Sequence, residues 1–147
     1  MVNLSNMSRW EKSDGGWLSI PLQSHLVWYG RLGATGSGIA AYDYDTGATK
    51  WSYPFGALAD RGSGYPVWAG TQTILLQFSG LLIAIDSETG TEKWRRTMGC
   101  CYNLGVLSPN QGIVADGNGF SGALSYYGFD PRTGDGTGAP FSAPSAF

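Results

Sequence analysis

An eleven-residue pattern recurs along this chain, and its spacing restricts the fold more than any other feature. The first copy is Ala41-Tyr42-Asp43-Tyr44-Asp45-Thr46-Gly47-Ala48-Thr49-Lys50-Trp51. The second is Ala84-Ile85-Asp86-Ser87-Glu88-Thr89-Gly90-Thr91-Glu92-Lys93-Trp94. Both read Ala-x-Asp-x-x-Thr-Gly-x-x-Lys-Trp. A third, partial copy runs Gly128-Phe129-Asp130-Pro131-Arg132-Thr133-Gly134. The aspartates Asp43, Asp86 and Asp130 stand 43 and then 44 residues apart. A period of that length, filled with short apolar runs and glycine turns, signals four-stranded blades stacked as repeats.

The pattern has a local physical reading. Gly38-Ile39-Ala40-Ala41-Tyr42 and Leu81-Leu82-Ile83-Ala84-Ile85 are nearly unbroken apolar runs, expected of strands buried on both faces. The Asp that follows accepts hydrogen bonds from backbone N–H groups further round the turn. Gly47, Gly90 and Gly134 supply the positive φ that lets the chain reverse. The returning strand carries Trp51 or Trp94, each expected to bury about 150–250 Å² between adjacent blades. Leu26–Gly30 and Thr73–Phe78 read as the preceding strands. Gly16–Ile20, Tyr65–Ala69 and Asn103–Leu107 read as innermost strands. The expected blades are therefore about 11–56, 57–99 and 100–147. Helical patterning is confined to a short turn near Ser8-Arg9-Trp10-Glu11-Lys12.

The unit Ala-x-Asp-x-x-Thr-Gly-x-x-x-Trp resembles the repeat of the pyrroloquinoline-quinone (PQQ) propeller superfamily. That superfamily includes quinoprotein alcohol dehydrogenases, outer-membrane assembly lipoproteins and luminal sensor domains. The resemblance covers most of residues 26–134 and implies an all-β partial propeller of about three four-stranded antiparallel blades. Propellers of this kind commonly have about eight blades. Three blades leave an open strand edge at each end. The third copy is also degenerate: Gly138 stands where Trp51 and Trp94 stand, and 136–144 reads as loop. A fragment of a longer protein, a self-assembling partial ring and a stack capped by its own termini all accommodate these facts. Whole copies of three blades do not sum to eight.

Composition narrows the classes further. A net charge of −2 argues against nucleic acid, which requires a concentrated basic face. No apolar run approaches the 18 residues of a membrane span. The start, Met1–Ser8, has neither a basic nor an apolar signal region, so an intracellular location is expected unless the N-terminus is incomplete. On that basis the sequons at Asn3 and Asn6 are accidental. Lys93, Arg95 and Arg96 form the one basic cluster. Strand alternation puts Arg95 and Arg96 on opposite faces, with Lys93 on the Arg95 side of a solvated outer strand.

Cys100 and Cys101 are the only cysteines, and they are adjacent. Read from the residues alone, they are two small semi-buried thiols or, in an oxidising compartment, a vicinal disulfide. Resemblance adds a sharper reading. Some quinoprotein alcohol dehydrogenases carry a Cys-Cys pair just after a repeat Trp, as a disulfide ring packed against the PQQ plane. By that resemblance Cys100, Cys101 and Asn103 are the candidate cofactor-binding residues. Asn103-Leu104-Gly105 looks like the family's Asn-Arg-Gly, but the Arg that would hold the cofactor carboxylates is Leu104. Leucine makes no charge-assisted contact with a carboxylate. Tyr102 alone separates the cysteines from Asn103, a shorter spacer than the family's.

The remaining candidates have plainer explanations. Asp43, Asp86 and Asp130 belong to the repeat turns rather than to acid–base chemistry. Asp116-Gly117-Asn118-Gly119 echoes a calcium loop, but Phe120 stands where an oxygen ligand is needed. His25 is read as structural or on the surface. Gly33–Gly38 lacks the Lys-Ser/Thr of a phosphate loop and is read as a hairpin. Tyr102 and Trp68 fall near the axial face, with packing the better reading of each.

Together these features predict a non-catalytic interaction or scaffold module that needs no cofactor. Its exposed blade edges would bind another copy or a protein partner. The alternative is a fragment of a PQQ-dependent alcohol dehydrogenase, using PQQ and calcium, with Cys100-Cys101 against the quinone. A ligand-binding module using blade-top aromatics is a third class, supported by no motif.

Overall fold

The computed structural model describes residues 16–32, 36–61, 65–70, 72–97, 101–108, 111–117, 124–136 and 141–142, several of the strand residues by backbone alone. The expected turn near Ser8–Lys12 and the substitution at Gly138 lie outside the described residues. The chain divides into two compact units, Met1–Gly56 and Ala57–Phe147.

The first unit is one antiparallel sheet in the order β1 (Gly16–Pro21), β2 (Leu26–Arg31), β3 (Ser37–Tyr42) and β4 (Thr49–Pro54). The apolar run of β3 is buried from Gly38 to Tyr42, so this central strand is covered on both faces. Gly38 is required there: a Cβ would lie 2.5 Å from Leu32 Cδ1 and 2.7 Å from the Tyr53 carbonyl oxygen. His25 is fully buried, 2.7 Å from Ser24 Oγ through Nδ1 and edge-on to the Trp51 ring at 6.4 Å.

The second unit holds two sheets. One runs β5 (Tyr65–Gly70), β6 (Thr73–Phe78), β7 (Leu81–Asp86) and β8 (Glu92–Thr97). The other runs β9 (Cys101–Ser108), β10 (Gln111–Gly117), β11 (Leu124–Phe129) and β12 (Phe141–Ser142). Ile74, Leu76, Ile83 and Ile85 share one face of the first of these sheets and are fully buried. Each such side chain contributes about 1.5–3 kcal/mol of transfer free energy. On the other face Leu75, Leu82 and Ala84 pack with Ala69, Val67, Trp94 and, from β11, Phe129. That shared cluster joins the two sheets.

β12 corrects the expectation that 136–144 is loop throughout. Phe141 and Ser142 pair with Tyr126 and Ser125, and Gly136 bridges to Phe129. The glycine- and proline-rich tail has little strand propensity of its own. The outer edge of β11 supplies a template that overrides it.

Candidate functional site

The repeat turns are built the same way in all three copies, from residues within five positions of one another. The N–H groups of Asp43, Asp86 and Asp130 donate to the carbonyls of Ala48, Thr91 and Asp135 at 2.8–2.9 Å. Gly47, Gly90 and Gly134 donate back to the carbonyls of those aspartates, at φ of 67°, 70° and 74°. Asp43 Oδ1 accepts from the Asp45 and Thr46 N–H groups and from Thr46 Oγ1. Asp86 Oδ1 accepts the same set from Glu88 and Thr89. In the third copy Arg132 replaces part of this set, closing on Asp130 with its N–H and guanidinium.

In the first and third copies these contacts favour the charged carboxylate. The Thr46 backbone and hydroxyl donors hold Asp43 below its ordinary value of 3.8, and the Arg132 side chain does so for Asp130. A carboxylate with a depressed folded pKa contributes stability that is present above the unfolded value and is lost as pH falls toward the folded one. The melting temperature should therefore fall as pH drops below about 4. In Asp43→Asn that acid-side fall should be shallower than in the parent when melting is followed across pH 2–6. An identical profile would show that the Asp43 charge is not coupled to folding.

The seam between the two sheets of the second unit was only half visible in the sequence. The motif Trp was expected to pack between blades, and Trp94 does so. Its ring lies edge-on to Phe129 at 6.1 Å, and its Nε1 donates to the Pro131 carbonyl at 2.9 Å. Arg96, two residues on, was read as merely solvated. Its guanidinium instead donates to the Gly134 and Thr133 carbonyls at 3.1 and 3.4 Å and to Asp135 Oδ1 at 3.0 Å. The Arg96–Asp135 pair is exposed and worth about 0–1 kcal/mol by itself. Its carbonyl contacts, with Trp94, aim one strand at the next repeat's turn. Arg95, on the opposite side, pairs with Glu92.

The motif's Ala and Lys also acquire roles. Ala41 faces Trp51 and Ala84 faces Trp94 across the strand pair, a small residue opposite an indole. In each case the register then slips by one, leaving Lys50 or Lys93 as the extra residue of a β-bulge. Lys93 therefore leaves simple alternation, and its Nζ donates to the buried Thr73 Oγ1 at 2.9 Å. The identical bulge at two positions was the missed signal behind the repeated Lys-Trp.

The cofactor candidates are less gathered. Cys101 opens β9 opposite Asp116, and Asn103 faces Ala115, with Tyr102 the extra residue of a bulge between them. Cys100, and with it any bond to Cys101, lies outside the described residues, as do Asn118, Gly119 and Phe120. β9 runs beside β5. On β5, Trp68 is 39% exposed, against the expectation that it packs. Gly33–Thr35 also fall outside the described residues, and the flanking Leu32 N–H donates to the Gly36 carbonyl at 2.7 Å. Among the described residues no three His, Cys, Asp or Glu side chains cluster as metal ligands, and no helix is long and apolar enough to cross a membrane.

No family model and no curated protein matches this chain. Among solved structures it is similar to BamB from Moraxella catarrhalis, with a TM-score of 0.55 and 23% identity. The match covers 82% of this chain but 38% of that one, so the chain spans well under half of the propeller it resembles. The likeness is one of fold, and the fold is a partial β-propeller.

Proposed function

We propose that this chain is a non-catalytic β-propeller module that serves as an interaction or scaffold segment. The seam of the second unit carries the reading. Trp94 and Arg96 present an indole, an N–H donor and a guanidinium to the neighbouring turn, whose backbone carbonyls accept them. Every repeat with an Asp-x-x-Thr-Gly turn has such carbonyls, and Trp51 and Trp94 occupy the same place in their repeats. Blades of this build join one another by a generic contact, and an open edge is a site for one more blade or for a strand added to the sheet. The expected partner is another copy or a propeller-like protein surface, and no cofactor is required. The fold likeness to BamB supports a propeller scaffold. The quinoprotein alternative is disfavoured by Leu104, which leaves a cofactor carboxylate without its cation.

The discriminating experiment adds PQQ and Ca²⁺ to the oxidised full chain and follows quinone absorbance and alcohol-dependent dye reduction. The free-quinone spectrum and no turnover are expected. A saturable bound-quinone spectrum with turnover would overturn the proposal in favour of an alcohol dehydrogenase segment.

A further inference from the structure

The third repeat turn differs from the other two at the residue that closes it. The carbonyl accepting the turn aspartate's N–H belongs to Ala48 in the first copy, Thr91 in the second and Asp135 in the third. Only the third copy therefore has a carboxyl side chain at that place, and the residue after it is Gly136. The Asp135 side chain is 72% exposed. A Cβ on Gly136 would meet only the Gly128 carbonyl oxygen, at 3.9 Å, so the nitrogen of Gly136 is sterically open. Gly136 pairs with Phe129 in an isolated antiparallel bridge. The bond from the Asp130 N–H to the Asp135 carbonyl flanks that pair, so Phe129 and Gly136 do not exchange bonds with each other. The Gly136 N–H accordingly points away from β11. An exposed carboxyl and an unhindered amide nitrogen one residue on are the two groups that close a succinimide ring.

One group opposes that closure. Arg96 donates to Asp135 Oδ1 at 3.0 Å, while the same guanidinium donates to the Gly134 and Thr133 carbonyls. A charge-assisted bond from a guanidinium fixed in this way holds the carboxylate toward β8. Ring closure requires the Asp135 Cγ to swing to the Gly136 nitrogen instead. The other Asp-Gly pair among the described residues, Asp116-Gly117, lies within β10, where both residues are paired with β11. Asp130 is followed by Pro131, which has no N–H to give up.

We propose that Asp135-Gly136 is a site of spontaneous main-chain isomerisation, and that Arg96 is the positioning residue that restrains it. The Gly136 nitrogen attacks Cγ of the neutral Asp135 carboxyl. A C–N bond forms, a C–O bond breaks, and the hydroxyl leaves as water with the amide proton. Water then reopens the ring at the Asp135 main-chain carbonyl, so that the chain runs on through Cβ and Cγ. Water is the only other reactant, and nothing is oxidised or reduced. The isoaspartyl product adds one carbon to the backbone. It also converts the Asp135 carbonyl, which accepts the Asp130 N–H, into a pendant carboxylate. The turn that Trp94 and Arg96 grip is thereby altered, and in the third repeat alone. This inference goes beyond the module reading and does not depend on it.

The test is to age the full chain in mildly acidic buffer and map its peptides with fragmentation that separates aspartyl from isoaspartyl bonds. Arg96→Gln should raise isoaspartate at Asp135 severalfold over the parent and leave Asp116 unchanged. Adding Gly136→Ala, for which there is space, should remove most of that rise. Trp94→Phe, which loses the indole donor but keeps Arg96, should age at the parent rate. Equal isoaspartate at Asp135 in the parent and in Arg96→Gln, or none in either, overturns the proposal. An equal rise in Trp94→Phe also overturns it, by assigning the restraint to the seam as a whole. If Arg96→Gln raises isoaspartate at Asp116 too, the blade has loosened and Arg96→Lys, which keeps the charge but not the fork, decides. A rise confined to Asp135 then supports the proposal, and no rise there overturns it.

Discussion

Trp94→Ala is expected to destabilise the second unit by about 3 kcal/mol, within the range for truncating a large aromatic packed in a core. The indole contributes three separable things. It covers Gly134, it meets Phe129 edge-on at 6.1 Å, and its Nε1 donates to the Pro131 carbonyl at 2.9 Å. Removal leaves a void in the cluster of Leu75, Leu82, Ala84 and Phe129, and exposes a carbonyl that had a donor. Trp94→Phe keeps most of the ring and loses the donor, so about 1 kcal/mol is expected from the hydrogen bond. Urea unfolding should show a lower midpoint at unchanged slope for Trp94→Phe. For Trp94→Ala, separate transitions reported from β6–β7 and from β10–β11 would mean that this indole couples the two blades. A loss below 1 kcal/mol for Trp94→Ala would mean that Leu75, Leu82 and Phe129 hold the seam without it.

Gly134→Ala should cost about 2–5 kcal/mol, combining left-handed strain with overpacking. At φ +74° an L-residue is strained, and the new Cβ would meet Trp94 Cδ2 at 2.7 Å and Cε3 at 2.8 Å. Those atoms belong to the ring body, tethered through Nε1, and cannot swing aside cheaply. Gly36→Ala is the control, since Gly36 has φ +81° but open space around it. It should cost only the conformational part, about 1–2 kcal/mol. Combining Gly134→Ala with Trp94→Ala should be less damaging than the sum of the two, because the clash disappears with the ring. Simple additivity would show that the Gly134 requirement is conformational and that the indole does not depend on it.

Legibility in the sequence tracked the distance over which each contact acts. The Asp43, Asp86 and Asp130 turns were readable because donors and acceptors lie within five residues, so the same backbone pairs of Asp and Gly recur in each copy. The 43-residue period made the four-stranded blade readable for a related reason, since each blade repeats its neighbour's packing. Arg96 was not readable in this way. Its acceptors are 37–39 residues downstream, and nothing within its own strand distinguishes a solvated guanidinium from one aimed at Gly134. Lys93 was misplaced because alternation assumes an unbroken ladder, and the bulge opposite Ala84 and Ile85 breaks it.

The cofactor candidates illustrate the same limit. Adjacency of Cys100 and Cys101 is a property of the sequence. What lies opposite Cys101 and Asn103 is a property of the sheet, which sets Cys101 against Asp116 and Asn103 against Ala115. The sequence by itself determined the turn chemistry, the apolar strands and the all-β class, because these depend on local hydrogen bonding and side-chain period. Only the tertiary structure decided that Arg96 grips the next turn, that Lys93 reaches Thr73 and that Phe141-Ser142 forms a strand. Each of those depends on which groups the folded backbone brings within about 3 Å of one another, and no local preference encodes that.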